Sequence, residues 1–261
     1  MTTYNAYIID LDGTMYRGNE PIAYAAAFVD TLVSEQIPYL FLTNNSSKTP
    51  AQVSHKLQQM GIPSTAEHVL TSSMATADYI KREHPQARCY VIGEEGLHEA
   101  LKQEGLAVVE ENSDFVIIGM DHSITYDSLS KACREVRHGA QLISTNADTT
   151  IPTDRGMEPG NGALTSVVSV STGKQPTFIG KPETIIIDQA LKRLDAEKPN
   201  TLMVGDNYDT DIGAGINAGI DTLMVFTGVT PFSCYPSLPV KPSYYVQNLS
   251  EWLPHIKKTA L

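Results

Sequence analysis

The fold of this chain is constrained most strongly by its short apolar runs. Each run ends in polar residues and is followed by a helical pattern. The first run covers residues 6–9 and stops at Asp10, and apolar residues then recur at helical spacing over 21–36. A second run, 38–42, precedes a helix that begins at Pro50. The order strand, helix, strand, helix predicts an α/β fold, with a doubly wound parallel sheet and helices packed on its faces.

The same order returns near the carboxyl end of the chain. Strands are predicted there at 177–180, 201–204, 221–226 and 244–246. The middle of the chain contains predicted strands and helices of its own, with enough apolar residues for a second small core. We therefore expect a core domain formed by residues 1–76 and 178–261, interrupted by a smaller α/β domain of residues 77–177.

The charge of the chain limits its partners. Thirty acidic residues against 19 basic ones give the 261 residues a formal net charge of −11. Such a surface repels phosphates, so we expect no nucleic-acid partner and no anionic membrane surface. No apolar run approaches the ~20 residues of a membrane span. Three dispersed cysteines and a beginning unlike a signal peptide favour a reducing cytoplasm.

Two acidic residues stand directly after the first predicted strand. The segment Asp10-Leu11-Asp12-Gly13-Thr14 places two carboxylates two residues apart on a tight turn, where both can face one point. In open α/β sheets, ligands bind outside the carboxyl ends of the strands. By itself, this segment fits a polar turn as well as a reactive pair of carboxylates.

Further polar groups follow other predicted strands. Thr43 and Asn44 can donate to an anion, and Lys181, beside a helix start, can offer its charge to a phosphate. Asp206 and Asp211 would repel each other, a repulsion that a divalent cation removes. Hard oxygen ligands near phosphate favour Mg²⁺. Taken singly, Thr43 and Asn44 are more typical of a helix entrance and Lys181 of a solvated charge, and Asp211 also fits a helix cap or a turn.

Together, these groups occur in the order DxDGT, T, K, GDxxxTD. The chain thereby resembles the haloacid dehalogenase (HAD) superfamily, whose four motifs have this form and order. The short stretch after the first motif has no room for a cap domain, whereas the interval from Thr43 to Lys181 does, as in members with a C2-type cap. Local strings resemble subfamily IIA, the NagD-like or para-nitrophenyl phosphatase-like branch: 42–46, 71–77, 144–148, 159–163 and 205–207.

The resemblance implies a Mg²⁺-dependent phosphatase that hydrolyses small phosphomonoesters through an aspartyl-phosphate. In such an enzyme Asp10 is the nucleophile and Asp12 the general acid and base. Thr43, Asn44 and Lys181 hold the oxygens of the transferring group. The implied metal site consists of Asp10, the backbone carbonyl of Asp12, Asp206 and, orienting the others, Asp211.

The inserted domain is expected to select the substrate, and its candidate residues are Asn146, Asp148 and Asn161, each of which also fits an ordinary polar turn. The resemblance implies sugar phosphates, nucleotides or similar metabolites, with para-nitrophenyl phosphate as an artificial substrate. Two alternatives stay open: a phosphotransferase with a dedicated substrate, and a non-catalytic regulatory protein that binds phosphometabolites. The sequence does not set the oligomeric state, and a homo-oligomer stays open.

Overall fold

The computed structural model describes residues 3–153 and 155–257. The strands are β1 (Ala6–Ile9), β2 (Tyr16–Arg17), β3 (Glu20–Pro21), β4 (Tyr39–Thr43), β5 (Val69–Thr71), β6 (Arg88–Ile92), β7 (Ala107–Val108), β8 (Phe115–Ile118), β9 (Gln141–Ser144), β10 (Thr150–Thr153), β11 (Gly156–Pro159), β12 (Thr177–Phe178), β13 (Thr201–Gly205), β14 (Asp221–Val225) and β15 (Tyr244–Val246). The α-helices are α1 (Ala25–Ser34), α2 (Pro50–Gln59), α3 (Ser72–Glu83), α4 (Glu95–Gln103), α5 (Tyr126–Arg137), α6 (Asn161–Thr172), α7 (Thr184–Leu194) and α8 (Gly213–Ala218).

The larger sheet grows outward from β1 in both directions. Its strand order is β15-β14-β13-β1-β4-β5. The pairings of β1 with β13 and β4, and of β14 with β13 and β15, are parallel. The chain builds one side through β4 and β5 and later the other side through β13, β14 and β15. The switch therefore lies between β1 and β13, where open α/β sheets bind their ligands.

The central strands of this sheet are buried along their whole length. On one face, Phe28 and Leu32 of α1 join Ile9 and Val204 in a single apolar cluster. Strands covered on both faces have continuous apolar sequences rather than alternating ones. For that reason the apolar runs in the sequence located β1, β4 and β13 to within a residue at each end.

The first helix begins later than predicted. It starts at Ala25 rather than at Pro21, because β3 pairs with β2 in a small antiparallel hairpin. Gly18, with a φ of +55°, lies in the turn of this hairpin. Tyr24, with a φ of 68°, then redirects the chain into the helix. A proline before an apolar pattern is typical of both a helix start and an edge strand.

A second sheet is also parallel. Its order is β12-β9-β8-β6-β7, and each neighbouring pair runs in the same direction. Side chains of α5 and α6 pack on it, with Val136 and Val168 joining Val116 and Ile118 in one apolar cluster. The middle of the chain thus has the separate core that its apolar content indicated.

Residue contacts divide the chain into two compact units. The core unit contains the chain up to Thr43, the segment Ala51–Leu70, and the chain from Lys181 onward. The inserted unit contains Asn44–Pro50 and Thr71–Gly180. The limits taken from the sequence, 76/77 and 177/178, lie close to these divisions but cut through α3, which the contacts assign to the inserted unit as a whole.

One strand lies in a different sheet from the one predicted. Thr177–Phe178 pairs with β9 in the sheet of the inserted unit, so Lys181 does not follow a strand of the core sheet. A strand of only two residues, Thr177–Phe178, could pair at the edge of either sheet. The sequence pattern does not show which strand it pairs with, and only that pairing decides the sheet.

The sequence pattern also misses the β10–β11 hairpin and α3, among other elements. The hairpin of β10 and β11 is largely exposed, so it has no apolar run to indicate it. α3 carries mostly small buried residues, which give a weak helical pattern. Among the described residues, no helix is both long and apolar enough to cross a membrane.

Candidate active site

A buried lysine joins two carboxylates in the core unit. Lys181 Nζ lies 2.5 Å from Asp10 Oδ1 and 2.7 Å from Asp211 Oδ1. It also donates to the carbonyl of Leu42 at 3.3 Å. Only 3% of the Lys181 side chain is exposed, so its charge is balanced by these partners rather than by water. The structure thus brings together the predicted site residues Asp10, Lys181 and Asp211.

The third carboxylate, Asp206, reaches the same place from the neighbouring strand. Asp10 follows β1 and Asp206 follows β13, which pair in parallel. The amide of Asp10 donates to the carbonyl of Val204 at 2.9 Å, which aligns the two strand ends. Carboxylate oxygens of Asp10, Asp206 and Asp211 all lie within 4.8 Å of one another. They converge at the switch between the two halves of the sheet.

Each of these acids is fixed by donors from nearby backbone and side chains. Thr14 Oγ1 donates to Asp206 Oδ1 at 2.9 Å, which gives the last residue of DxDGT a role. Asp211 Oδ2 accepts from the amides of Asp206 and Asn207 at 3.2 and 3.0 Å. Asp211 sits on a turn of π-helix, Tyr208–Ile212, that directly follows this loop. It therefore shapes the loop as well as contributing charge.

The three carboxylates carry more negative charge than one lysine can balance. Burial, together with the neighbouring charge of Asp211, raises the pKa of Asp10 well above its ordinary value, against the attraction of Lys181. The same two effects raise the pKa of Asp206 to about 6. Burial alone would lower the pKa of Lys181, but its attraction to Asp10 and Asp211 outweighs burial and raises it. The lysine stays charged, and the acids repel one another.

Asp12 is not one of the three carboxylates of this cluster. Its residue is exposed, whereas Asp10 is only 7% exposed. Tyr16 donates its hydroxyl to Asp12 Oδ2 at 3.3 Å. Burial of the carboxyl group by surrounding protein atoms raises the pKa of Asp12. The positive charges of Lys56 and Lys181 and the hydrogen bond from Tyr16 oppose that rise. One carboxyl of the DxDGT segment is thus buried against a cation, and the other, on an exposed residue, accepts a hydrogen bond from a tyrosine.

Thr43 and Asn44, predicted together as phosphate-binding residues, fall in different units. Thr43 is the buried last residue of β4 and belongs to the core unit. Asn44 belongs to the inserted unit, where its Nδ2 donates to both carboxylate oxygens of Asp148 at 3.2 and 3.1 Å. Its carbonyl accepts from Ser72 Oγ at 2.7 Å.

The predicted cap residues form one hydrogen-bonded turn inside the inserted unit. Asn146 Nδ2 donates to the carbonyl of Asn44 at 2.8 Å, and Asn146 Oδ1 accepts from the amide of Asp148 at 3.1 Å. Asn161 is only 2% exposed. Its Nδ2 lies 3.0–3.2 Å from four acceptors: Ile118 O, Ser144 Oγ, Thr145 Oγ1 and Asn146 O. Asn161 thus supports this turn from inside.

Known proteins resemble this chain along its whole length. A family model described as haloacid dehalogenase-like hydrolase matches residues 7–107, and a second HAD-hydrolase-like model matches 178–252. The 5'-nucleotidase YutF of Bacillus subtilis is 55% identical over 98% of this chain and 100% of its own length. The acid sugar phosphatase of Staphylococcus epidermidis is 52% identical over 99% of this chain and 100% of its own length.

Solved structures of related proteins have the same fold. The structure of NagD from E. coli superimposes with a TM-score of 0.90 at 35% identity, over 96% of this chain and 98% of that one. The chain belongs to the haloacid dehalogenase superfamily. Within it, the chain is a member of subfamily IIA, the NagD-like branch, and it is a hydrolase.

In this HAD hydrolase, a loop after β14 completes the site, and the sequence analysis did not single it out. The amide of Val229 donates to Asp206 Oδ2 at 2.6 Å, and Thr227 Oγ1 donates to the carbonyl of Gly13 at 2.7 Å. A Cβ on Gly228 or on Gly13 would overlap the Asp206 carboxylate. The one signal in the sequence is the glycine of Thr227-Gly228-Val229, directly after a predicted strand.

The acidic cluster fits a divalent cation. Its donors are carboxylate oxygens, which hard cations prefer, and they lie close enough together to share one ion. With all three acids ionised, Lys181 leaves a net negative charge in a buried place, and the raised pKa values of Asp10 and Asp206 express that imbalance. A bound dication would remove it.

Proposed function

We propose that this HAD hydrolase is a Mg²⁺-dependent phosphatase that cleaves small phosphomonoesters through an aspartyl-phosphate on Asp10. The observation that carries the proposal is the cluster of Asp10, Asp206 and Asp211 around Lys181 at the switch of the core sheet. A nucleophile, a cation for phosphoryl oxygens and a set of oxygen ligands are the parts that phosphoryl transfer needs.

In the first step, an Asp10 oxygen forms a bond to phosphorus while the bond between phosphorus and the ester oxygen breaks. Asp12 gives its proton to the leaving alcohol. In the second step, Asp12 takes a proton from a water whose oxygen attacks phosphorus, and Asp10 is released together with inorganic phosphate. The exposed position of Asp12 supports this role, since it must meet both the alcohol and the water.

Lys181 has two roles in the proposal. Before substrate binds, it neutralises part of the carboxylate charge and keeps Asp10 oriented through the 2.5 Å contact with its Oδ1. During transfer, it stabilises charge on the phosphoryl oxygens, together with Thr43 and Asn44.

Asp10, the Asp12 backbone carbonyl and Asp206 would hold Mg²⁺, with Asp211 orienting the others. When bound, Mg²⁺ neutralises the charge of the phosphoryl oxygens and of the acids around them. Asp211 suits an orienting role because its Oδ2 already accepts two backbone amides and its Oδ1 accepts from Lys181.

We assign residues 77–177 as the C2-type cap that selects the substrate, with Asn146 and Asp148 as the selecting side chains and Asn161 as their support. The hydrogen-bonded turn that these residues share supports the assignment. The names of the relatives, a 5'-nucleotidase and an acid sugar phosphatase, favour nucleotides or sugar phosphates as substrates. Three free cysteines are in keeping with a cytoplasmic enzyme.

The test is hydrolysis of para-nitrophenyl phosphate with Mg²⁺ and with EDTA, for wild type and Asp10→Asn. We expect turnover that EDTA abolishes and that the variant loses by at least about 10³-fold, as for loss of a nucleophile. Asp188→Asn, which changes an exposed acid paired with Lys198 at 3.5 Å, is the matched control and should keep full activity. An Asp10→Asn variant with undiminished turnover would refute the aspartyl-phosphate mechanism.

A panel of nucleotides and sugar phosphates then identifies the substrate class and separates the alternatives. A phosphatase releases alcohol and inorganic phosphate in equal amounts. A phosphotransferase with a second alcohol present releases less phosphate than alcohol. A regulatory binding protein binds a phosphometabolite and releases neither product.

A further inference from the structure

Asp12 is held by a tyrosine from its own turn. The hydroxyl of Tyr16 donates to Asp12 Oδ2 at 3.3 Å, a long bond of the kind that catalytic groups often show before substrate binds. The turn brings the two residues together, because the amide of Gly13 donates to the carbonyl of Tyr16 at 2.8 Å. Tyr16 is only 5% exposed, so its ring is fixed by packing.

A lysine from α2 lies on the other side of that tyrosine. Lys56 Nζ is 3.8 Å from the centroid of the Tyr16 ring, within the range of a cation–π contact. Neither Tyr16 nor Lys56 belongs to the four motifs, yet Tyr16 contacts Asp12 and Lys56 contacts the ring of Tyr16.

We propose that Tyr16 and Lys56 are positioning residues for the proton transfers of Asp12. The Tyr16 hydroxyl occupies Oδ2 and leaves Oδ1 to carry the proton toward the leaving oxygen. Lys56 holds the ring of Tyr16, and with it the hydroxyl, in the position that meets Asp12. The inference rests on the proposed function, since it assigns these residues to the acid of that mechanism.

The proposal predicts a dependence on the leaving group. A para-nitrophenolate leaves as a stable anion, whereas an alkoxide must be protonated as its bond to phosphorus breaks. The ratio kcat/KM covers only the steps up to formation of the aspartyl-phosphate. Weakened acid catalysis therefore lowers kcat/KM for alkyl phosphates and spares it for para-nitrophenyl phosphate. For the latter substrate only kcat falls, because Asp12 must still activate the water.

The first variant is Tyr16→Phe, which keeps the ring under Lys56 and removes the hydroxyl. With adenosine 5'-monophosphate, or whichever alkyl ester of the panel is cleaved fastest, we expect kcat/KM to fall by about 10-fold or more. With para-nitrophenyl phosphate, kcat/KM should change by less than about 2-fold. Tyr39→Phe is the matched control: Tyr39 is 6% exposed, and its hydroxyl donates to the carbonyl of Pro63 at 3.1 Å. It should leave both substrates unaffected.

The second variant is Lys56→Met, which keeps an apolar stem over the ring and removes the charge. We expect the same selective loss for the alkyl ester, about 3- to 10-fold in kcat/KM. Lys241→Met is its control, since Lys241 Nζ lies 4.9 Å from the centroid of Tyr235 in the same kind of contact. Equal losses for both substrates, or a rise in KM alone, would overturn the assignment of Lys56.

Asp12→Asn separates this inference from the proposed function. If Asp12→Asn loses activity on alkyl esters while Tyr16→Phe and Lys56→Met do not, Asp12 is the acid and the positioning role is wrong. If Asp12→Asn keeps full activity on both substrates, the proposed mechanism itself is wrong. Selective loss in all three variants, with both controls intact, supports both.

Discussion

The pKa values of buried carboxyl groups shift in opposite directions in the two units. Among the described residues, the buried acids are Asp10, Asp206 and Asp211 in the core unit and Glu135 in the inserted unit. Asp10 and Asp206 face a further carboxylate, and their pKa values are raised. Burial alone would also raise the pKa of Glu135, but donors outweigh it and lower that pKa: Ser113 N donates at 2.6 Å and Ser113 Oγ at 2.8 Å.

This difference separates a functional arrangement from a structural one. Both units are parallel sheets covered by helices, so the architecture does not account for it. A buried acid that serves only stability is matched by donors, as Glu135 is. Acids that repel one another are tolerated where a ligand or a cation is to be bound. The unmatched charge of the core unit therefore marks this unit as the functional one.

The largest effect is expected from Lys181→Met, which removes the cation that contacts both Asp10 and Asp211. We expect kcat/KM to fall by about 10²- to 10³-fold, as for loss of a major electrostatic contact. The free energy of unfolding in EDTA should fall by about 3–5 kcal/mol, because two buried charges lose their partner. Added Mg²⁺ should recover part of that stability, which urea unfolding with and without the cation would measure.

The inserted unit supplies the control for this prediction. Lys131 pairs with Glu110 at 3.1 Å and with Asp127 at 3.8 Å, but 35% of its side chain is exposed. Lys131→Met should lower the free energy of unfolding by less than about 1 kcal/mol, since exposed ion pairs contribute little. Equal losses for Lys131→Met and Lys181→Met would show that the carboxylate cluster is not a special charge environment.

Gly228→Ala is expected to have the next largest effect. Its Cβ would overlap the Asp206 carboxylate and lie 2.7 Å from the Cα of Gly13, so Asp206 must move. A displacement of about 1 Å at a reacting centre can cost about 10²-fold, and we expect kcat/KM to fall by about that factor. Gly105→Ala, at a φ of +65° with open space around it, should cost about 1–2 kcal/mol of stability and leave the activity of folded enzyme unchanged.

The motif residues of the core site were predictable because local sequence determines where they lie. Asp10 and Asp206 follow strands that are apolar along their length, and adjacent strand ends must converge. The residues that hold these acids in place were harder to predict from the sequence. Val229 acts through its backbone amide and Gly228 through the absence of a side chain, so neither has a chemical signature in the sequence.

The inserted unit was less predictable, for two physical reasons. Its edge strand β12 is two residues long, and its sheet membership is decided by pairing with distant β9. The role of Asn161 depends on which amide atom is used and on whether the side chain is buried. Asparagine after glycine fits a turn contact equally well, and only packing shows that its Nδ2 faces four acceptors.

Asn161→Asp tests whether the inserted unit tolerates a buried carboxylate that lacks matching donors, as the core unit does. The substitution keeps the shape but places acceptor oxygens where Nδ2 donated to Ile118 O and Asn146 O. We expect the free energy of unfolding to fall by about 2 kcal/mol near neutral pH. Asn248→Asp is the control, because Asn248 Oδ1 accepts from Ser250 N at 3.0 Å and Oγ at 2.6 Å. An aspartate can accept the same two bonds but loses the exposed contact of Nδ2 with Glu251 Oε1 at 3.5 Å, so stability should change by less than about 1 kcal/mol.

The smallest effect concerns the matched acid, Glu135, and it depends on pH. Its pKa is lowered in the folded state, so its contribution to stability is fully present above the unfolded value of about 4.3 and is lost as the pH falls through the folded value. We expect Glu135→Gln to be less stable than wild type by about 1 kcal/mol near pH 7, with the difference shrinking at more acidic pH. Comparing the two proteins by urea unfolding removes the contributions of Asp10 and Asp206, whose raised pKa values act with the opposite sign. A difference that stays constant with pH would mean that Glu135 stabilises the inserted unit by packing alone, and the contrast between matched and unmatched acids would then rest on the core unit only.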